Sequence, residues 1–341
     1  MRTLTKKFLA AITAGSLALT AAACSNDDSA TSESSPAASS TDSASSENSG
    51  EWPRTITHEL GETVIEAKPE RIANTALSVT GTLLAIDAPV IASAATTPSD
   101  VTDDQGFFSQ WSDEAEEAGV EVLYPGLQFD MESLIAQDPD LVIVSISGAD
   151  SVADEYEQIS AQFPTIAVDY SKQSWQDLAT ELGEALGLEE EAEAAVDEFN
   201  SYVADAATKI TAPEGGVSII SYNGPGESQG VAKKGGSHGE IFANLGIDVV
   251  EAPADLDTSA QARQDFAFVT YENLTQAATG DAIFILTGTD EDAEALKADA
   301  TLANLPAVQN DAVYGLGETS FRVDPYSGRL IVDTVVDALG N

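Results

Sequence analysis

The sequence predicts an α/β fold in which two Rossmann-like lobes are joined by a single long helix and enclose a ligand cleft between them. Three patterns predict this arrangement. Short apolar strands alternate with helical segments up to residue 173, a similar alternation runs from residue 210 onwards, and an apolar stripe at helical spacing separates the two sets. Alternation of strands with helices is typical of a largely parallel sheet covered by helices.

The first lobe is predicted to cover residues 51–173. It begins with a β-hairpin, because alternating polar and apolar residues flank Leu60-Gly61. Five strands are then expected at residues 72–76, 90–93, 121–124, 141–145 and 165–168. Helices are expected at residues 79–86, 107–118, 131–137 and 152–163.

An apolar stripe over residues 174–209 predicts the connecting helix, with only a soft break near Gly187. The second lobe is predicted to cover residues 210–341. Its strands are expected at residues 217–222, 247–250, 282–286 and 312–314, and its helices at residues 239–244, 271–277, 292–298 and 325–339. Ligands of such sheets bind outside the carboxyl ends of the strands. The cleft between the lobes is therefore the expected site.

The first 23 residues have the pattern of an export signal. A basic start is followed by an apolar segment and by a run of small residues that ends at Cys24. Cys24 is the sole cysteine, so it cannot form an internal disulfide, and we predict that it carries a lipid rather than a free or intermolecularly paired thiol. Residues 24–50 are polar and lack large apolar side chains, which predicts a flexible tether. The protein is thus expected outside the cytoplasm, anchored to the cell membrane.

The charge of the chain is strongly negative. There are 58 acidic and 14 basic residues, which give a formal net charge of −44. Such a charge argues against nucleic acid or an anionic lipid surface as a partner. Most of it is explained as a solvated surface, because exposed charges beyond about 8 Å are screened at physiological ionic strength.

Catalytic patterns are missing from the sequence. The two histidines, His58 and His238, lie in different predicted lobes, and no Cys-x-x-Cys, His-Glu-x-x-His or Gly-x-Ser-x-Gly pattern occurs. Pairs of carboxylates are expected by chance in so acidic a chain. The sequence therefore favours a binding protein over an enzyme.

Several motifs resemble the substrate-binding proteins of ferric enterobactin ABC importers, over the chain from about Glu51 onwards. They include Lys68-Pro-Glu-Arg-Ile, Thr80-Gly-Thr-Leu-Leu-Ala-Ile-Asp, Lys172-Gln-Ser-Trp-Gln and Phe321-Arg-Val-Asp. The resemblance implies the helical-backbone (class III) fold and the capture of a ferric siderophore, most of all a catecholate. It also implies delivery to an ABC permease with its ATPase, action as a monomer, and no cofactor or metal ligands in the receptor.

The resemblance and the predicted strand ends together give candidate ligand contacts. Guanidinium groups suit a catecholate, since they donate forked hydrogen bonds and stack on ring faces. Arg263 and Arg322 occupy positions where the family carries Arg, and Tyr222 matches a family Tyr. Lys233 and Lys234 lie in a loop where the family Trp is replaced by Ala232. Tyr124 and Ser147 follow strands of the first lobe.

Two other functions stay open. A haem receptor would use His238 with Tyr124 or Tyr222 as axial ligands. A surface hydrolase that opens siderophore esters would need a Ser-His-Asp arrangement, and no such spacing is visible.

Docking to the permease is expected to involve Glu240. In receptors of the resembled family an acidic residue on each lobe contacts permease arginines, and Glu240 lies at a predicted helix start, where a carboxylate is favoured. The matching first-lobe position holds Gly81.

Overall fold

The computed structural model describes residues 52–260 and 263–340. The predicted signal segment, Cys24 and the whole of the predicted tether lie outside these residues. Within the described residues, no helix combines the length and the apolar character needed to cross a bilayer.

The chain begins with the predicted hairpin. Strand β1 (Arg54–His58) pairs antiparallel with β2 (Gly61–Ile65). The parallel sheet of the first lobe then follows. Its strands are β3 (Ile72–Asn74), β4 (Val90–Ser93), β5 (Glu121–Val122), β6 (Leu141–Ser145) and β7 (Thr165–Val168), in the spatial order β5-β4-β3-β6-β7. Strands β6 and β7 are buried along their whole length, as expected for strands covered on both faces.

Helices of the first lobe connect these strands. They are α1 (Leu77–Ala85), α2 (Ser112–Ala118), α3 (Met131–Gln137) and α4 (Tyr156–Ser160). Helix α2 begins later than predicted, because residues 102–111 form turns, one of which is closed by an isolated β-bridge between Thr102 and Phe108. The hairpin is attached to the edge of the sheet, where the Thr63 hydroxyl donates to the Thr165 carbonyl over 2.7 Å.

The predicted single helix of residues 174–209 is wrong in one respect, because it is two helices. Helix α5 (Trp175–Leu186) ends at Gly187, whose φ of 69° is left-handed, and α6 (Glu189–Ala207) follows. The rings of Trp175 and Phe199 are 5.1 Å apart, whereas in one straight helix these residues would be about 36 Å apart. The chain therefore folds back at Gly187, and α6 alone connects the two sheets. The apolar stripe continues across the break because both helices face one core.

The second sheet is mixed. Its strands are β8 (Val217–Ile220), β9 (Ser228–Ala232), β10 (Phe266–Thr270), β11 (Ala282–Ile285) and β12 (Val313–Gly315), in the order β10-β9-β8-β11-β12. Strand β9 is antiparallel to β8 and β10. The sequence analysis missed β9 and β10, and the strand predicted at residues 247–250 contributes only a bridge between Val217 and Val249.

Helices of the second lobe are α7 (Ser237–Asn244), α8 (Leu274–Ala277), α9 (Asp290–Ala298), α10 (Pro306–Gln309) and α11 (Pro325–Leu339). Helix α11 packs on α6, where Arg329 forms a 2.9 Å ion pair with Glu198. The prediction of two α/β lobes is confirmed.

Candidate functional site

A cavity of about 1000 Å³ lies between the two lobes. Its first-lobe wall includes Ser78 in α1 and residues 170–175, which follow β7; its second-lobe wall includes residues 235–238, 263–266 and 321–323. Ser78 and Tyr170 therefore lie beyond the carboxyl ends of parallel strands, where ligands of this sheet type bind.

Charged groups of the cavity wall are balanced. The wall contains the cations Lys172, Arg263 and Arg322 and the anions Asp177, Glu240 and Asp265. This formal neutrality contrasts with the net charge of −44 on the chain. The cavity is thus a place where an anionic ligand meets little of the repulsion that the acidic surface would give.

Of the three cations on the cavity wall, Arg322 has the fewest internal partners. It forms no salt bridge with the described residues, and its Nε is buried without a hydrogen-bond partner. Its guanidinium carbon lies 4.3 Å from the ring centroid of Tyr170, on the opposite wall. A ring face stabilises the cation without neutralising its charge, so the guanidinium keeps its capacity to bind an anion.

Tyr170 is held from behind by Asp150. The hydroxyl of Tyr170 donates to one oxygen of this buried carboxylate, and the other oxygen accepts the Ser78 backbone N–H at 2.7 Å. Burial and then the neighbouring Asp150 raise the pKa of Tyr170 to about 12, so the hydroxyl remains a donor at neutral pH. Gly148 gives the ring its room, because a Cβ there would lie 1.6 Å from the Tyr170 oxygen.

Arg263 is arranged differently. Its Nε donates to Asp265 over 2.8 Å within a forked ion pair, and its side chain is half exposed. Lys233 is absent from the cavity wall but supports this loop. Its Nζ donates to the Arg263 carbonyl at 2.9 Å and pairs with Asp257 at 3.1 Å. Arg263 thus meets the cavity with its charge already compensated.

Two further candidates from the second lobe lie away from the cavity wall. The Lys234 ammonium pairs with Asp248 at 2.6 Å on the exposed surface. Tyr222 donates to Asp299 at 3.0 Å, and Tyr271 donates to the same carboxylate. Burial, followed by the hydrogen bond to Asp299, raises the pKa of Tyr222 to about 12. These partners hold both side chains away from the cavity wall, where the sequence analysis expects them.

The two candidates from the first lobe also lie away from the cavity wall. Tyr124 is buried, and its hydroxyl faces the Thr75 carbonyl at 3.4 Å. Ser147 is half-buried, and its backbone N–H donates to Ser145 Oγ at 3.0 Å. Neither side chain lines the cavity. Strand-end position alone did not separate residues that face the cleft from residues that close the sheet behind it.

The structure does not assemble the haem site. His238 lines the cavity but is buried, and its Nε2 donates to the Ser320 carbonyl at 2.7 Å. Burial lowers the pKa of His238, so the ring is neutral. Neither Tyr124 nor Tyr222 reaches this wall. No cluster of metal-ligating side chains occurs within residues 52–260 and 263–340.

Glu240 is exposed on α7 and lies on the cavity wall. The side chain is exposed as a whole, but partial desolvation of its carboxyl group at the cavity wall, and then the charge of Asp177 on α5, raise its pKa. Gly81, the matching first-lobe position, is buried against α2: a Cβ there would lie 2.9 Å from Trp111 Cδ1. That position is therefore closed to a protein partner.

One short segment joins the second lobe to the first. We call residues 321–324 the bridge segment. The Phe321 ring lies 5.1 Å from Phe108, and buried Asp324 accepts a 2.9 Å hydrogen bond from Gln110. Between them, Arg322 lies over Tyr170. The Phe321-Arg-Val-Asp motif of the sequence analysis therefore also connects the two lobes.

Sequence reasoning did not single out most of the wall as ligand contacts. Four residues that bear on the chemistry of the site are among those missed: Tyr170, Lys172, Trp175 and Phe266. The Lys172-Gln-Ser-Trp-Gln motif was a signal for two of them, since it directly follows β7. Phe266 belongs to the missed strand β10. Trp175 is buried, and its Nε1 has no hydrogen-bond partner.

Comparison with known proteins gives consistent matches. The family model for periplasmic binding proteins matches residues 72–319. The ferric enterobactin-binding periplasmic protein FepB of Escherichia coli O6:H1 is 40% identical over 286 residues, which are 83% of this chain and 90% of FepB.

Solved structures show the same fold. The crystal structure of holo-ViuP is 42% identical, with a TM-score of 0.78 and coverage of 85% of this chain and 96% of ViuP. SirA of Staphylococcus aureus, solved with staphyloferrin B, is 18% identical with a TM-score of 0.62, over 84% of this chain and 98% of SirA. This second likeness concerns the fold alone.

Proposed function

Because this chain belongs to the periplasmic binding protein family, we propose that it captures a ferric catecholate siderophore outside the cytoplasm and delivers it to an ABC permease for iron uptake. The proposal includes action as a monomer, without a cofactor and without enzymatic activity. The relation to FepB supports the catecholate class.

The observation that carries the proposal is the unpaired guanidinium of Arg322 in a cavity of about 1000 Å³. This volume lies at the upper end of the range for small-molecule sites. A ferric tris-catecholate is bulky, anionic and edged with aromatic rings, and its iron is already chelated. Such a ligand needs cations and flat apolar surfaces, which Arg322, Arg263 and Phe266 offer on one wall.

Calorimetric titration with ferric enterobactin, a ferric hydroxamate and haemin tests the proposal. We expect saturable binding of the catecholate complex with one site per chain, and at least about tenfold weaker binding of the other two ligands. Tighter binding of haemin, with a shifted absorption band, would favour the haem receptor instead. Incubation with the intact siderophore and analysis of the products would reveal hydrolysis.

The membrane anchor is proposed on Cys24, outside the described residues. Replacing Cys24 with Ser is expected to release the protein from the membrane fraction, because one or two acyl chains would be its anchor. Ligand affinity should stay unchanged. Retention of the Cys24→Ser protein in the membrane fraction would contradict the anchor.

Docking to the permease is proposed to use Glu240. The substitution Glu240→Lys reverses an exposed charge and is expected to reduce iron uptake in cells more than it changes affinity in solution, since exposed charges act mainly on encounter and pairing. Glu291→Lys is a matched control, because Glu291 is an exposed carboxylate in the first turn of α9 in the same lobe and lies away from the cavity wall. If affinity falls with uptake, Glu240 acts on the ligand through its place on the cavity wall.

A further inference from the structure

Tyr170 and Arg322 belong to different lobes and meet across the cavity. Tyr170 follows β7 of the first sheet, and Arg322 lies in the bridge segment before α11. The guanidinium carbon is 4.3 Å from the ring centroid. The conformation of Arg322 therefore depends on a residue that the second lobe does not contain.

Internal contacts give Arg322 little other restraint. Seven other basic side chains of the described residues each pair with at least one carboxylate: Arg54, Lys172, Lys233, Lys234, Arg263, Lys297 and Arg329. Arg322 pairs with no carboxylate within residues 52–260 and 263–340, and its Nε has no hydrogen-bond partner there. An arginine side chain without ion pairs has several rotamers available, and fixing one of them costs conformational entropy. The ring face of Tyr170 restricts this choice before a ligand arrives.

Tyr170 is itself fixed. Its hydroxyl donates to Asp150, which is buried and also accepts the Ser78 N–H at the start of α1. Asp150 is thereby satisfied by two first-lobe donors, and the Tyr170 side chain cannot swing to another χ1 rotamer without breaking its hydrogen bond to Asp150. The chain of contacts runs from α1 through Asp150 and Tyr170 to Arg322.

We propose that Tyr170 is a positioning residue for ligand binding: held by Asp150, its ring orients the Arg322 guanidinium toward an anionic ligand while leaving the charge unneutralised. This inference rests on the proposed function, because it assigns Arg322 to the ligand. A preorganised side chain saves the ordering cost on binding. Tyr170 thus increases affinity through Arg322.

The chain contains a matched control. Between α11 and α6, Arg329 lies 4.9 Å from the ring centroid of Tyr202, whose hydroxyl donates to Asp333. Tyr202 is absent from the cavity wall. A substitution at Tyr202 removes the same type of contact without touching the site.

The test is a double-mutant cycle with ferric enterobactin as the probe. Tyr170→Leu is expected to raise Kd about two- to thirtyfold, the range of a cation–π contact. In an Arg322→Gln background the same substitution should change Kd by less than about twofold, because Tyr170 then has no cation to orient. Tyr170→Phe keeps the ring but loses the hydrogen bond to Asp150, so its Kd should lie between those of the parent and Tyr170→Leu. Tyr202→Leu should leave Kd unchanged.

Additive effects of Tyr170→Leu and Arg322→Gln would overturn the inference, since they would show that Tyr170 acts on the ligand or the fold independently. An unchanged Kd in Tyr170→Leu would overturn it as well. If Tyr170→Leu does not fold, as judged by its thermal unfolding, the same double-mutant cycle is measured with Tyr170→Phe in its place. A parent protein that binds none of the ferric siderophores would instead refute the proposed function, so the two failures are distinguishable.

Discussion

Arg322 and Arg329 lie near each other in the sequence and have almost the same immediate surroundings. Each guanidinium lies over a tyrosine ring, at 4.3 Å for Tyr170 and 4.9 Å for Tyr202. The difference is in the charge, because Arg329 also pairs with Glu198 at 2.9 Å, whereas Arg322 pairs with no carboxylate in the part of the chain that the structure describes. The same ring contact therefore accompanies a compensated cation between two helices in one place and an uncompensated cation at the cavity in the other.

The aspartates behind the two rings differ as well. Asp150 is buried and is fixed by the Ser78 N–H, whereas Asp333 is exposed on α11. A buried carboxylate that accepts two hydrogen bonds holds its partner more firmly than a solvated carboxylate does. A residue type and a ring contact thus do not distinguish the two arginines; the balance of charge and the firmness of the support do.

Removal of the two arginines should give the largest contrast. Arg322→Ala is expected to weaken ferric-catecholate binding about ten- to a hundredfold, since a charge-assisted contact contributes about 1.5–3 kcal/mol. Arg329→Ala should leave the affinity unchanged and lower the melting temperature. Calorimetric titration and thermal unfolding of both variants measure this. Equal affinities for the two variants would show that Arg322 and Arg329 do not differ in ligand binding.

Arg263→Ala should have a smaller effect on affinity than Arg322→Ala. Arg263 is half exposed and already paired with Asp265, so a ligand must share or replace that carboxylate. We expect a loss of about two- to tenfold. In an Asp265→Asn background Arg263 becomes unpaired, and its removal should then cost more. A loss larger than that of Arg322→Ala would show that pairing does not reduce the contribution of an arginine here.

The smallest effect concerns alkaline stability, in which the two tyrosines should behave alike. Burial and the adjacent aspartate raise the pKa of both Tyr170 and Tyr202 to about 12. The unfolded tyrosine ionises near 10, so stability is fully present below pH 10 and is lost as the pH rises from 10 towards 12. Tyr170→Phe and Tyr202→Phe should each flatten this decline in melting temperature by a similar amount. If only one of the two variants changes the decline, the two tyrosine–aspartate contacts contribute differently to alkaline stability.

The fold was largely predictable because its determinants are local. Buried parallel strands such as β6 and β7 read as apolar runs. Strand β9 was missed since it contains Gly230 and the buried polar side chain Gln229, whose amide is satisfied by the Gly224 and Glu227 carbonyls. The break at Gly187 was missed since the apolar pattern does not change where the direction of the chain does.

The site was predictable only in part. Arg263 and Arg322 were found through motifs, and both line the cavity. Tyr222 and Tyr124 were not distinguishable from cavity residues in the sequence, because their hydrogen-bond partners are distant along the chain. Tyr170 was missed for the same reason: its importance comes from Asp150 and Arg322, which only the fold brings to it.

Trp175 gives the protein a built-in optical sensor of occupancy. Its indole lines the cavity, is shielded from solvent and packs edge-on against Phe199. Trp52, by contrast, lies at the hairpin beneath Arg54, and Trp111 is covered by Phe107 and Phe108. An iron–catecholate complex absorbs light strongly, so its arrival should quench the emission of Trp175 most. A Trp175→Phe protein would remain able to bind but lose most of this signal, and the parent could report siderophore concentrations in growth medium without any added dye.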